Sequence, residues 1–189
     1  MDIAFIVIIG IVAALVLLLV ILIGWGISVY NRLVSSREFV KNGMGQIAAQ
    51  IESRWDAVAN LIGATKQYAA HEAQVIGQAT AARTHLGKDS HVADVERDDA
   101  SFENVLGRIQ MVAENYPDLK ASGVYQNAMT QIGQLEDNVR SARMIFNDSV
   151  TKHNRTVLQF PSSIVASIFR FRELDYFQHT ATKSQMPSW

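Results

Sequence analysis

Hydrophobic positions divide the chain into one uninterrupted apolar run and several runs with helical spacing. Residues 3–27, IAFIVIIGIVAALVLLLVILIGWGI, contain no charged side chain, and the first basic residue after them is Arg32. A helix of this length spans roughly 37 Å at about 1.5 Å per residue, which exceeds the hydrocarbon core of a bilayer. Because the run is apolar on every face, it predicts a transmembrane helix rather than the core helix of a soluble domain.

A cleaved signal peptide is the main alternative for this run. Such a peptide has a basic N-terminal region and a shorter apolar stretch of about 7 to 15 residues. Here Asp2 is the one charge before a much longer run, so the pattern favours a retained anchor over residues 1–29. Trp25 and Tyr30 lie near its end, where their amphipathic rings suit the headgroup layer.

Basic residues follow the predicted span, and none precedes it. Arg32, Arg37 and Lys41 come soon after the apolar run. The positive-inside rule therefore predicts a single-pass protein whose N-terminus lies outside and whose C-terminal domain lies in the cytoplasm.

Beyond the anchor, apolar residues recur at steps of three and four, which predicts a long helix from Asn31 to Arg83. Spacing near 3.5 residues is typical of a helix that packs against others at a shallow angle. The predicted stripe comprises Leu33, Arg37, Val40, Met44, Ile47, Ile51, Trp55, Val58, Ile62, Thr65, Ala69, Glu72, Ile76 and Ala79.

Further helices follow a polar, acidic connection at residues 85–100. The second helix, Asp99–Asn115, is expected to stop before Pro117, because proline restricts the preceding residue to extended geometry. The third, Ser122–Phe160, ends at a proline, and a short helix begins there. The predicted apolar stripe of the third helix comprises Tyr125, Met129, Ile132, Leu135, Val139, Ala142, Phe146, Ser149, His153, Thr156 and Phe160.

Together these elements predict an all-α fold in which an N-terminal transmembrane helix continues into a long helix of an antiparallel, up-and-down bundle. The predicted domains are an anchor at 1–29, a helical bundle at 30–178 and a polar tail at 179–189. The three bundle helices have unequal lengths, about 80, 25 and 58 Å. Leu33, Val40 and Met44 therefore need cover from the C-terminal segment or from a neighbouring chain.

Composition narrows the classes of function. The chain has 17 basic and 18 acidic side chains, for a formal charge of −1, and no cysteine. The charge provides no electrostatic basis for nucleic-acid binding. The absence of cysteine excludes disulfides and thiolate metal sites.

Candidate chemistry in the sequence is sparse. His71 is followed by Glu72, but a zinc-binding HExxH motif would need a histidine where Val75 stands. Two other groups of residues are candidates for chemistry. One is a divalent-metal cluster in the polar connection, and the other is His153 as a catalytic base. A solvated connection between helices explains the first candidate, and a histidine in the core explains the second. We therefore predict no catalytic, cofactor-binding or metal-binding residues. The cluster residues are His85, Asp89, His91 and Asp94.

Polar residues at helix positions and corners are better candidates for structural contacts. Isolated asparagines can fix helix register, as they do in coiled coils. They are Asn31, Asn60, Asn147 and Asn154. In the corner AENYPDLKAS, Glu114 and Lys120 either pair across the turn or contact a neighbouring chain, and Tyr116 packs on the bundle.

Several segments resemble the LemA family of bacterial proteins, which have an N-terminal membrane helix and a helical-bundle domain. These segments are YNRLVSSREFV, RWDAVANLI, ENYPDLKAS, SARMIFNDSVTKHN and FPSSIVASIF. Met44 and Gly45 replace the family's usual tryptophan and serine, and Ala59 replaces a proline, so a straighter first helix is expected. The resemblance implies a bundle on a stalk in the bacterial inner membrane and brings no established reaction.

These features favour a non-catalytic, membrane-anchored structural or interaction protein that self-associates and presents a cytoplasmic helical surface, organising or shaping the membrane. Its expected partners are the lipid bilayer and other copies of the same chain. Gly10 and Ala14 form a small-xxx-small pair that permits close contact within the bilayer. The alternative is an adaptor or sensor that recruits another membrane protein, such as a protease.

Overall fold

The fold of the described residues is helical throughout its regular elements. A computed structural model describes residues 3–66, 77 and 85–178. The helices are α1 Ile3–Thr65, α2 Val92–Asn115, α3 Pro117–Ala121, α4 Gly123–Leu158 and α5 Ser162–Ile168. The predicted all-α class is confirmed.

The chain divides into two compact units. The first, which we call the anchor unit, comprises residues 1–39 and 150–174; the second, the bundle unit, comprises residues 40–149 and 175–189. The domain boundaries proposed from the sequence stay a prediction. The polar tail at 179–189 lies outside the described residues.

α1 begins as an exposed apolar helix. Among the described residues, one helix is long and apolar enough to cross a membrane, and its most hydrophobic window is entirely unburied, with a mean hydropathy of 3.4. Side chains of this segment are exposed, such as Leu17 at 62%. An apolar surface of this kind is stable in lipid and not in water.

The second half of α1 is amphipathic, as its spacing predicts. Nine members of the predicted stripe are buried: Leu33, Val40, Met44, Ile47, Ile51, Trp55, Val58, Ile62 and Thr65. Arg37 is exposed instead. The helix passes through Ala59 without a break and ends at Thr65 rather than at Arg83. The later stripe positions Ala69, Glu72, Ile76 and Ala79, with His71, lie outside the described residues.

α2 begins at Val92, earlier than the predicted Asp99. The His91 N–H donates to Asp94 Oδ2 at 2.8 Å, which satisfies one of the amides that a helix start leaves free. Val95 and Asp98 are buried. The acidic segment was predicted as a connection and is a helix, because its buried carboxylate, Asp98, has partners on α1.

The corner between α2 and α4 has the predicted structure. α2 ends at Asn115, and the Tyr116 N–H closes its last turn on the Val112 carbonyl oxygen. Pro117 starts the short α3, where its missing N–H costs nothing. The Ser122 hydroxyl accepts the Tyr125 N–H at 3.2 Å and thereby caps α4.

α4 buries much of its predicted stripe and ends slightly early. The buried members are Tyr125, Ile132, Val139, Ala142, Phe146 and His153. The helix ends at Leu158, and Phe160, predicted to be its last apolar contact, is 78% exposed. The chain leaves the helical path before Phe160, so the periodicity no longer determines which way that side chain points.

α5 covers the start of the amphipathic part of α1. Val165 and Ala166 pack on Val29 and Leu33 in one core cluster. The C-terminal segment thus covers Leu33, one of the two options that the sequence left open.

The end of α5 is capped by a reversal of the chain. Arg170 is left-handed, with φ of 57°. The Phe171 N–H donates to the Ala166 carbonyl oxygen at 2.9 Å, and the Arg170 N–H donates to that of Ser167. This pattern is a Schellman motif. It returns Phe171 towards α1, where its ring centroid lies 5.9 Å from that of Tyr30.

Candidate functional site

A buried charge cluster joins three helices of the bundle unit. Arg54 on α1 is 2% exposed, and its guanidinium donates to Asp98 and Asp99 on α2 and to Glu136 on α4. The distances are 3.3, 3.1 and 2.8 Å respectively. Arg143 on α4 also pairs with Asp99. A single side chain of α1 therefore contacts two other helices.

Aromatic residues enclose the same cluster. The indole N–H of Trp55 donates to both carboxylate oxygens of Asp98, at 3.1 and 3.0 Å. The Arg54 guanidinium lies 4.0 Å from the ring centroid of Phe102, a cation–π contact. Asp98 is completely buried. Donors surround its charge, and this arrangement is the condition under which a buried carboxylate is tolerated.

This cluster was not predicted from the spacing of apolar residues. The apolar stripe included Trp55 and omitted Arg54, while Asp98 and Asp99 fell in the polar, acidic connection predicted at residues 85–100. An arginine directly before a stripe tryptophan, with paired aspartates in the next segment, was the available signal. The charged side chains of the cluster form ion pairs between helices, so the cluster supports helix register rather than a reaction.

His153 occupies a buried position in the anchor unit. It is 1% exposed. Its Nε2 lies 3.1 Å from the Arg172 carbonyl oxygen, which can only accept, so Nε2 carries a proton. Its Nδ1 lies 2.9 Å from the Ser36 hydroxyl, which is also 2.9 Å from the Leu33 carbonyl oxygen. His153 thus links α1, α4 and the C-terminal segment, as expected of a core histidine.

The environment of His153 favours its neutral form. Burial lowers the pKa of His153 below its usual range, the hydrogen bond to the Arg172 carbonyl opposes this shift, and the positive charge of Arg37 adds to it. Within the described part of the chain, no carboxylate contacts the ring. A catalytic base would need access to substrate and an orienting partner; the imidazole here is enclosed by protein.

The two carboxylates of the candidate metal cluster are held in other contacts. Asp89 pairs with Lys41 at 2.8 Å, and Lys41 lowers the pKa of this carboxyl. Asp94 accepts the His91 N–H and pairs with Arg97. Across residues 3–66 and 85–178, the structure brings together no group of three or more potential ligands that could hold a metal ion.

The four asparagines have two different environments. Asn31 and Asn60 are exposed, so the predicted buried contacts are wrong for them. Asn154 donates to the Leu174 carbonyl oxygen and accepts the Leu174 N–H, both at 2.9 Å. In the bundle unit, Asn147 makes the same pair of bonds with Phe177. These two amides bind backbone, whereas register between helices comes from the Arg54 cluster.

The corner residues remain available for contacts outside the chain. Glu114 and Lys120 are exposed, and the described ion pairs do not include one between them. The pairing option is therefore wrong, and the docking option stays a prediction. Tyr116 is half-buried at the end of α2.

A groove in the bundle unit lies between α1 and α4. It has a volume of about 380 Å³ and is lined by small or polar side chains together with Ile145. The lining residues are Gln46, Ala49, Gln50, Asn138, Ser141, Ala142 and Ile145. Small side chains here permit the close approach of another helix.

This fold defines an all-helical protein with one N-terminal apolar helix suited to anchor it in a membrane. The chain belongs to the LemA family, which matches it over residues 43–188.

Several curated proteins are similar to the chain. The magnetosome protein MamQ of Magnetospirillum gryphiswaldense is 33% identical over 79 residues, which cover 42% of this chain and 29% of the relative. The magnetosome protein MamQ 2 of Paramagnetospirillum magneticum is 24% identical over 175 residues, 79% of this chain and 64% of the relative. Protein LemA of Metamycoplasma hominis is 23% identical over 153 residues, 78% of this chain and 68% of the relative.

The matched region covers less than two thirds of both MamQ relatives. None of the three names describes a catalytic activity. The comparisons and the fold together identify a membrane-associated helical protein.

Proposed function

We propose that this chain is a non-catalytic structural protein that is anchored in the bacterial inner membrane, self-associates laterally and organises the membrane through a cytoplasmic helical surface. The observation that carries the proposal is the continuity of α1. One helix provides the exposed apolar span and also the central buried stripe of the protein. Copies that associate through the helical surface therefore bring their membrane-embedded segments into one assembly, because both belong to the same chain.

The groove and its rim support self-association. Ile145, which lines the groove, is 56% exposed, and the next residue on α4, Met144, is 58% exposed. Large apolar side chains next to a groove of small residues are typical of surfaces that bind another helix. We propose that a second copy of the chain binds in this groove, because anchoring in the bilayer concentrates copies of the chain in one plane.

The names of the relatives are compatible with this role. Two are names of magnetosome proteins, and we extend from them to this chain only a role in a larger assembly. The exposed corner residues Glu114 and Lys120 provide a further contact surface for such an assembly.

Crosslinking through introduced cysteines tests the proposal. The chain has no native cysteine, so an Ile145→Cys variant carries a single thiol. Arg140→Cys is the matched control, since Arg140 is also exposed on α4, about 140° around the helix from Ile145. Mild oxidation of native membranes is expected to yield disulfide-linked dimers at position 145 and far fewer at position 140.

The outcomes separate the two functions considered. Absence of dimers at both positions would count against lateral self-association through this face. Predominant crosslinking of position 145 to one foreign membrane protein would favour the adaptor function instead.

A further inference from the structure

An apolar face of the anchor unit is left uncovered by the described chain. Val165 and Ala166 of α5 are buried against α1, whereas five large apolar residues in and around α5 are between 51% and 78% exposed. These are Leu158, Phe160, Ile164, Ile168 and Phe169. Scattered apolar side chains are normal on protein surfaces, but a cluster of this kind marks a site of interaction.

The contacts of α5 determine its level along α1. The ring centroid of Phe169 lies 4.7 Å from that of Tyr30, and Val29 lies in the same core cluster as Val165. The uncharged run of α1 extends from Ile3 to Asn31. At about 1.5 Å per residue this run is about 43 Å long, close to the thickness of a bilayer with its headgroup layers. α5 therefore lies where α1 leaves the membrane.

The charge of the anchor unit matches a membrane surface. The whole chain has a formal charge of −1, but the described residues of this unit include six basic side chains and two acidic ones. The basic residues are Arg32, Arg37, Lys152, Arg155, Arg170 and Arg172, and the acidic residues are Glu38 and Glu173. Arginine beside an apolar face suits the phosphates of an anionic leaflet.

The Schellman motif ends α5 and turns the chain back towards α1, which fixes the position of the apolar face. Because Phe171 returns to Tyr30, α5 is held against α1 at its middle and at its C-terminal end. The Arg37 guanidinium lies 5.4 Å from the Phe171 ring centroid. Arg37 follows the apolar span along α1. Ile164 and Ile168 of the uncovered face thus lie on a packed helix next to the span, and Phe160 and Phe169 lie in the turns at its two ends.

We propose that the apolar face formed by Phe160, Ile164, Ile168 and Phe169 inserts into the headgroup and upper acyl region of the bilayer that α1 crosses. This second membrane contact rests on the anchor of the proposed function and is independent of self-association. An interfacial helix beside a span fixes the depth and the rotation of that span, which a single apolar helix alone does not.

Depth measurements on the full-length chain in liposomes of zwitterionic and anionic phospholipid test the proposal. Ile168→Cys carries a fluorophore on the proposed face. Phe39→Cys is the matched control, because both native side chains are 67% exposed, and Phe39 lies about 13 Å beyond Tyr30 along α1. Leu17→Cys, in the middle of the apolar run, reports on the anchor alone.

The label at Ile168 is expected to be quenched by lipids with a spin label near the headgroup and to be about tenfold less accessible to aqueous iodide than the label at Phe39, as fits a group buried at the acyl boundary. Equal iodide access at Ile168 and Phe39 would overturn the proposal. Protection from iodide without quenching by the spin-labelled lipid would also overturn it, since a protein would then cover the face. If the label at Leu17 is not quenched by lipids with a spin label near the end of the acyl chain, the membrane anchor itself fails.

Discussion

At the scale of single residues, Arg54 carries the most consequential polar contacts in the bundle unit. It is nearly inaccessible to water and shares its charge among Asp98, Asp99 and Glu136. Removing one member of a buried ion pair leaves the other charge desolvated and unpaired, and typically costs 3–5 kcal/mol. Exposed pairs contribute about 0–1 kcal/mol.

Replacement of Arg54 tests this difference. Arg54→Met is expected to lower the free energy of unfolding by about 3–5 kcal/mol, because Asp98 loses its cation. Arg140→Met, which breaks the exposed ion pair with Asp137, is expected to lower it by less than about 1 kcal/mol. Urea unfolding of the full chain in detergent, followed by circular dichroism, measures both. Equal effects would contradict the structural role of the cluster.

His153 links stability to pH. Its pKa is lowered in the folded chain, so the unfolded chain binds the proton more readily. Stability from this residue is fully present above the unfolded pKa of about 6.5 and is lost as the pH falls towards the folded pKa. The melting temperature should therefore fall with acidification through this window, and His153→Gln should reduce the slope. An unchanged slope in the variant would show that His153 is not the group responsible.

At the scale of elements, side-chain amides attach the segment after α5 to α4. Asn154 satisfies both backbone groups of Leu174, as a neighbouring strand would. Loss of one such bond typically costs about 1 kcal/mol, and more when a buried group is left unpaired.

Hydrogen exchange at Leu174 tests this attachment. Asn154→Ala removes the acceptor of the Leu174 N–H, and a loss of about 1–2 kcal/mol should accelerate its exchange about 5- to 30-fold. Asn127→Ala on the exposed side of α4 is the control and should leave the rate unchanged. Equal rates in both variants would place the protection of Leu174 elsewhere.

Periodicity predicted the elements better than their ends or their polar contacts. The stripe from Leu33 to Thr65 and the stop at Asn115 followed from spacing and from proline chemistry, which are local properties. The start of α2 at Val92 and the exposure of Phe160 did not. Burial of Asp98 depends on Arg54, far away in the sequence, and the path of the chain after Leu158 depends on the packing of α5. Such tertiary contacts join residues that are distant in the sequence, so helical periodicity does not report them.

At the scale of the whole molecule, the apolar span and the basic anchor unit define how the chain meets the membrane. Positive charge follows the span at Arg32 and Arg37 and recurs at Arg170 and Arg172. Basic residues next to a span favour the cytoplasmic side.

Reporter fusions test the orientation. A fluorescent protein that folds in the cytoplasm should be active when fused after Trp189, whereas alkaline phosphatase at the same position should be inactive. Active alkaline phosphatase would reverse the proposed topology. A control fusion to a protein of known opposite topology checks that both reporters respond.

Self-association is the central claim, and the mass of the assembly in lipid tests it most directly. The full chain, 21.0 kDa, is reconstituted into nanodiscs with a large excess of empty discs, so that chance co-incorporation is rare, and the protein mass per disc is measured by light scattering. The proposal predicts more than one chain per occupied disc. A single chain per disc, together with a monomer in detergent, would contradict it.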